Sequence, residues 1–184
     1  DVYNILPYYG LMFLLAVPLT RLRIWHLLSL SLLFAFIGPL VIFATNSRVV
    51  YLTTLNPSFY DVIETPLDVV ITLLVGGTYP VVTWMAYLCL GMAVCRMNLK
   101  WLTTQVRLTV CGGLIAASSA IFTTFALDYG GGFAKLYGQT DGYGAHDILE
   151  IFKFGPDGHL PTDTAWWLAI SGPHTETTPS IMLS

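Results

Sequence analysis

Gly172, Pro173, His174, Thr175, Glu176, Thr177 and Thr178 follow one another in the chain. A turn-forming pair is succeeded by an imidazole set among hydroxyls, with a carboxylate two residues on. A neutral imidazole in that setting can take the proton of an attacking hydroxyl while Glu176 orients the ring, the work of a general base. The plainer reading is a turn histidine hydrogen-bonded to its neighbours. A second group, Tyr79, Trp84 and Tyr87, follows the pair Gly76–Gly77. Trp84 and Tyr87, three apart, share a helix face, and Tyr79 is the last residue before Pro80. They can form the wall of a pocket, or serve as packing and interfacial aromatics. A third group, Arg96, Lys100 and Arg107, can meet phosphates, or express only the charge bias of a membrane protein.

Other chemistries find less support. His146 and Glu150 are four apart, but with Asp147 and His159 they force no third ligand into position, so no metal site is expected. Gly130–Gly132 lacks the Lys-Ser/Thr that completes a phosphate loop. There is no serine nucleophile elbow and no CxxC. Cys89, Cys95 and Cys111 have no metal-ligand spacing and are expected to be buried, reduced and structural.

The elements that position these groups are apolar. Of 184 residues, 55% are hydrophobic and only 10% charged, with a mean hydropathy of +0.68. A water-soluble domain carries far more charge, so lipid is the expected solvent for much of the chain. A net charge of −3 gives no reason to expect nucleic acid as a partner. The expected fold is all-α, a polytopic transmembrane helical bundle with spans at 3–20, 27–45, 78–95 and 108–127. Each is close to the about 20 residues that cross a ~30 Å hydrocarbon core. Thr65 and Pro66 start a half helix too short to span, ended at Gly76–Gly77, and the helix restarts after Pro80. The connections 46–77 and 128–165 are long outer loops, HDILEIFKF being the one ordered piece expected in the second. Small residues from Gly112 to Ser119 invite close approach of a neighbouring helix. Trp166 and Trp167 mark re-entry into the interface and the start of a fifth span. With Asp1 in place of methionine, the chain reads as one transmembrane domain that is part of a larger one.

Orientation follows from charge. Arg21, Arg23, Arg96, Lys100 and Arg107, five of the eight Lys and Arg residues, lie in the two short connections after the first and third spans. None of the eleven acids does: Asp1, Asp61, Glu64, Asp68, Asp128, Asp141, Asp147, Glu150, Asp157, Asp163 and Glu176. The positive-inside rule puts those connections in the cytoplasm, and the amino end of the chain, both long loops and the His174 turn outside.

The block TYPVVTWMAYLCLGMAVCRMNL resembles the G-Y-P-x-x-x-W-x-x-Y-x-x-x-G-M-A-x-x-R-x-x-L run of bacterial multi-pass proteins similar to the heparan-alpha-glucosaminide N-acetyltransferase group and its YeiB-type relatives. YYGLMFLLAVPLTRLR resembles an earlier helix of that group, and TDTAWWLAISGPHTETTP its WW-L-x-x-x-PH-S-G-T segment. The resemblance spans most of the chain except the Gly-rich loop, with the segments in the same order. PHTETT stands where the family has PHSGT, and the family's amino-terminal helices, with their Asp-x-x-Arg-Gly motif and outer-face histidine, are not among these residues.

The resemblance implies a membrane-bound acyltransferase of the bacterial inner membrane. It would move an acetyl group from cytoplasmic acetyl-CoA, the donor substrate, to an envelope glycan or glycolipid. On that reading His174 and Glu176 are catalytic, and Tyr79, Trp84, Tyr87, Pro173 and Thr175 shape a pocket for sugar or pantetheine. Arg96, Lys100 and Arg107 would meet the coenzyme's phosphates. The expected partners are membrane lipids, further amino- and carboxy-terminal helices of the same protein, and a homodimer or larger envelope complex. The alternatives are a carrier for a small solute or lipid, because broken helices also build transport sites, or a non-catalytic subunit of an envelope complex. The four spans hold no Asp, Glu, Lys or Arg, which argues against ion-coupled transport.

Overall fold

The computed structural model describes residues 4–49, 57–140, 142–156 and 158–184. Asp1, Asp141 and Asp157 lie outside the described residues. Among those described, the regular structure is all helical: α1 (Leu6–Leu19), α2 (Ile24–Val49), α3 (Phe59–Glu64), α4 (Pro66–Val75), α5 (Val81–Val94), α6 (Leu102–Thr124), α7 (Gly132–Gln139), α8 (Ala145–Phe154) and α9 (Thr178–Leu183). A π-helical turn, Phe125–Tyr129, extends α6, and a 3-10 turn covers Ala165–Ala169. The chain divides into two compact units, Asp1–Met97 and Asn98–Ser184.

Among the described residues two helices are, by length and composition, apolar enough to cross a membrane: Ile24–Asn46, 23 residues at a mean hydropathy of 2.5, and Leu102–Tyr129, 28 residues at 1.8. Only 28% and 17% of their most apolar windows are buried. A core helix of a water-soluble protein is covered by its neighbours, whereas these leave Leu32, Phe36 and Leu40, and Val110, Leu114 and Phe122, exposed. Such surface requires lipid or another apolar cover. The other two expected spans are shorter than the sequence suggests. α1 and α5 have 14 residues each, about 21 Å at 1.5 Å per residue, less than the hydrocarbon thickness.

In the first unit α5 is the central element. Tyr8, near the start of α1, packs edge-to-face on Tyr79, just before α5. Arg96, just after α5, donates to the carbonyls of Thr20 and Leu22 after α1, so α1 and α5 run parallel. α2 runs antiparallel to both. Ser31 Oγ donates to the Ala86 carbonyl at 2.8 Å, and Gly38 lies against Thr83, where a Cβ would stand 3.0 Å from Thr83 Cγ2 and 3.1 Å from the Val82 carbonyl oxygen. A glycine therefore lets two backbones approach. Tyr8, Met12, Val81, Met85 and Cys89 form the buried centre. Of the three free cysteines only Cys89 is buried; Cys95 and Cys111 are exposed, contrary to the expectation for all three.

The half helix α4 begins at Pro66, whose missing amide hydrogen would have no helical acceptor at that position. It ends at Gly76, whose amide donates to Ile71 and Thr72. Gly77 follows at φ +63°, a left-handed conformation that glycine adopts freely. Ser58 and Asp61 cap the preceding α3 reciprocally. The Ser58 hydroxyl and amide hold the Asp61 carboxyl below its usual pKa.

The second unit departs further from expectation. Residues 128–165 are not a loop with one ordered piece, because α7 forms as well as α8. Leu127, Leu136, Ile148, Ile151, Trp167, Ala169 and Ile170 make a common core. Phe133 stacks on Tyr137 and meets Phe152. Near the end of α6, Ser119 donates to the Pro179 carbonyl at 2.7 Å and Thr123 to the Ala169 carbonyl at 3.0 Å. Gly112 and Gly113, expected to seat a neighbouring helix, have nothing within 4 Å of a would-be Cβ. After residue 166 the described chain forms a 3-10 turn, an irregular segment and the six-residue α9, with no long helix.

Candidate functional site

The His174 turn is built from its neighbours' hydroxyls. Thr175 and Thr177 are buried. Thr175 Oγ1 donates to the Gly172 carbonyl at 2.8 Å and lies 3.3 Å from Thr177 Oγ1. Thr177 Oγ1 donates to the Ile170 carbonyl at 2.5 Å and accepts from the Ser180 amide at 3.2 Å, capping α9. Ser180 Oγ returns to the Gly172 carbonyl at 2.9 Å. The alternate residues point the other way. Pro173 and His174 are exposed and Glu176 is half-buried, with His174 at φ +52° and Glu176 at φ +55°. A left-handed non-glycine residue costs about 1–3 kcal/mol, and such residues persist only where the surroundings over-determine them. The hydroxyl network supplies that determination. It turns the two side chains singled out as catalytic out of the core.

The turn sits on the end of α8. Gly172 packs against the backbone there, a Cβ on it standing 3.0 Å from the Ile151 carbonyl oxygen and 3.2 Å from that of Phe152. Gly155, at φ +89°, lies against the Pro173 carbonyl, and its would-be Cβ stands 3.3 Å from His174 Cβ. Gly155 also lines a cleft of about 240 Å³ with Gly142, Tyr143, Asp147, Glu150, Ile151 and Pro156. That is below the about 300–1,000 Å³ of drug-sized sites, a size for one small polar group. Asp147 accepts from the Gly144 amide at 2.7 Å. Glu150 lies 3.8 Å from His146 Nδ1. Among the described residues no three His, Cys, Asp or Glu side chains converge as a metal site would require. His159, half-buried after the cleft, has its pKa lowered by desolvation, so it is held neutral near pH 7.

In the first unit the three aromatics come together as a ladder. Tyr79 meets Trp84 with ring centroids 5.4 Å apart, and Trp84 meets Tyr87 at 5.7 Å, both edge-to-face. Tyr8 extends it, 5.8 Å from Tyr79, a member that spacing within one segment cannot reveal. Tyr8 and Tyr79 lie at the helix break, and Trp84 and Tyr87 continue the ladder along α5. Thr72 Oγ1 and Thr78 Oγ1 are buried there with no hydrogen-bond partner among the described residues, and the Tyr8 phenol, beside Gly77, faces the Thr78 amide. A buried polar group left unpaired costs about 1–3 kcal/mol, so the closed break is an expensive arrangement.

The basic group divides. Arg96 belongs to the first unit, its guanidinium hydrogen-bonded to the Thr20 carbonyl at 2.7 Å and to the Leu22 carbonyl. Lys100 and Arg107 belong to the second unit and are exposed, Arg107 within α6. No family model, curated protein or solved structure matches the chain.

Proposed function

We propose that the chain is part of a multi-pass membrane acyltransferase that acetylates an envelope glycan or glycolipid with acetyl-CoA as donor. One observation supports this most: His174 and Glu176, singled out from sequence as base and orienter, are the two non-glycine residues in left-handed conformation among those described. Strain confined to a candidate base and its partner is characteristic of functional turns. His174 is exposed, and Gly155 joins its turn to the acid-lined cleft.

In this reading the acceptor hydroxyl gives its proton to the His174 imidazole as its oxygen attacks the thioester carbonyl. A carbon–oxygen bond forms, the carbon–sulfur bond breaks, and the coenzyme leaves as a thiolate that recovers the proton. Thr175 and Pro173 hold the turn. Tyr79, Trp84 and Tyr87, in the first unit, offer a separate apolar ring surface on which a sugar could stack. The membrane setting proposed is the bacterial inner membrane, with the His174 turn outside, so the acetyl-bearing pantetheine arm of the cytoplasmic donor has to reach it through the membrane.

The test is transfer of labelled acetyl groups from acetyl-CoA to envelope acceptors by the full-length protein. His174→Ala is expected to lower turnover by about 10²–10⁴-fold, the usual worth of a general base. Unchanged turnover removes His174 from the mechanism, and no transfer to any acceptor sinks the enzyme reading.

A carrier is the second reading. The helix interrupted at Gly77, with the unpaired buried hydroxyls of Thr72 and Thr78 beside it, has the form of a discontinuous-helix transport site. Solute uptake into vesicles without acyl donor would select it.

A further inference from the structure

We propose that Arg21, Arg23 and Arg96 form a binding site for a phosphate-bearing anion at the α1–α2 turn. Arg96 reaches across from the end of α5 and donates through both Nη atoms, to the carbonyls of Leu22 and Thr20. Those carbonyls bracket Arg21 and precede Arg23. The one contact therefore brings the Arg96 guanidinium, from a separate connection, onto the backbone of the turn that carries Arg21 and Arg23. Arg21 and Arg23 are exposed, and their guanidiniums make no ion pair or hydrogen bond among the described residues.

Within the first unit no described carboxylate is paired with these arginines. The described acids of the unit, Asp61, Glu64 and Asp68, lie on α3 and α4. α4 leads into the break before α5, whereas Arg96 follows its far end, about 21 Å away along the helix. α2 starts at Ile24 with no acid in its first turn, so the positive end of a long helix dipole adds to the cluster rather than being neutralised within the chain. Trp25, 77% exposed, stands beside the arginines, the residue type that settles at the level of lipid headgroups. Planar guanidinium forks match phosphate oxygens in pairs. A phospholipid headgroup and the phosphates of a soluble nucleotide coenzyme share that chemistry.

The site does not depend on the acyltransferase reading, because Arg21 and Arg23 belong to no part of the proposed proton transfer. The experiment uses the full-length protein in nanodiscs, comparing wild type with the Arg21→Gln/Arg23→Gln double variant, which removes two charges and no internal contact. One arm compares retention of phosphatidylglycerol against phosphatidylcholine. The other titrates coenzyme A into phosphatidylcholine discs. Preferential binding in either arm, weakened at least five-fold in the variant and weakened further by raised salt, supports the site and identifies the source of the phosphate. Equal binding by wild type and variant in both arms overturns it, leaving the arginines as orientation signals alone. Arg96→Lys keeps the charge but loses the paired contact to Thr20 and Leu22, and is expected to weaken binding less than the double variant. Loss of acetyl transfer with these affinities intact would strike the enzyme reading and not this one.

Discussion

Gly155 and Pro173 are in backbone contact: Gly155 turns at φ +89°, and any side chain there would run into the Pro173 carbonyl oxygen. Through this contact the end of α8 fixes the position of the turn that carries His174. Gly155→Ala combines a left-handed strain of about 1–3 kcal/mol with a collision against backbone, which cannot rotate away. It is expected to destabilise the second unit by at least that amount and to move the His174 turn. Thermal unfolding in detergent reads the first effect and alkylation of an introduced His174→Cys thiol the second. A Gly155→Ala variant with unaltered melting and labelling would contradict the contact.

Thr177 serves three partners, the Ile170 carbonyl, the Ser180 amide and the Thr175 hydroxyl. Thr177→Val keeps the shape and removes the hydroxyl, leaving buried groups unpaired at about 1–3 kcal/mol each. A drop in melting temperature is expected with Thr177→Val and a much smaller one with Thr177→Ser. A larger drop with Thr177→Ser than with Thr177→Val would show that the methyl, not the hydroxyl, matters.

Gly38 admits Thr83 and the Val82 carbonyl at contact distance. Gly38→Leu is expected to force α2 from α5 and cost about 1–3 kcal/mol by overpacking. Gly112→Leu, where a would-be Cβ meets nothing, is expected to be near neutral. Unfolding midpoints of the two variants side by side decide the matter, and a reversal of their order would count against the α2–α5 packing.

His159 has a folded pKa lowered by burial from the usual 6.5. The unfolded chain therefore binds the proton first as pH falls. Its stabilising contribution is complete above about pH 6.5 and is lost progressively below it, down to the folded pKa. His159→Gln is expected to flatten the decline in melting temperature between about pH 7.5 and 5. A variant with the wild-type slope would assign the acid sensitivity elsewhere.

Composition alone determined that the regular elements would be helical and that some would be too apolar for water. Local chemistry determined the half helix, since Pro66 and Gly76–Gly77 act on neighbouring backbone and need no distant partner. The His174 turn was legible because glycine, proline and threonine shape a few consecutive residues. α7 was hidden by glycines at both its ends. Its signal, Phe133, Leu136 and Tyr137 on one face, gains meaning only when Leu127 and Ile148 are brought against it.

Tertiary structure decided everything that required two distant segments to meet. Tyr8 joins the ladder of Tyr79, Trp84 and Tyr87 because α1 runs parallel to α5, a relation that sequence spacing does not encode. Arg96 turned from an isolated cation into a strut on the turn between α1 and α2 because the ends of α1 and α5 coincide. Left-handed strain at His174 and Glu176 likewise came from the chain around them. Neither residue favours that conformation alone, and only the buried hydroxyl network and the close-lying Gly155 impose it.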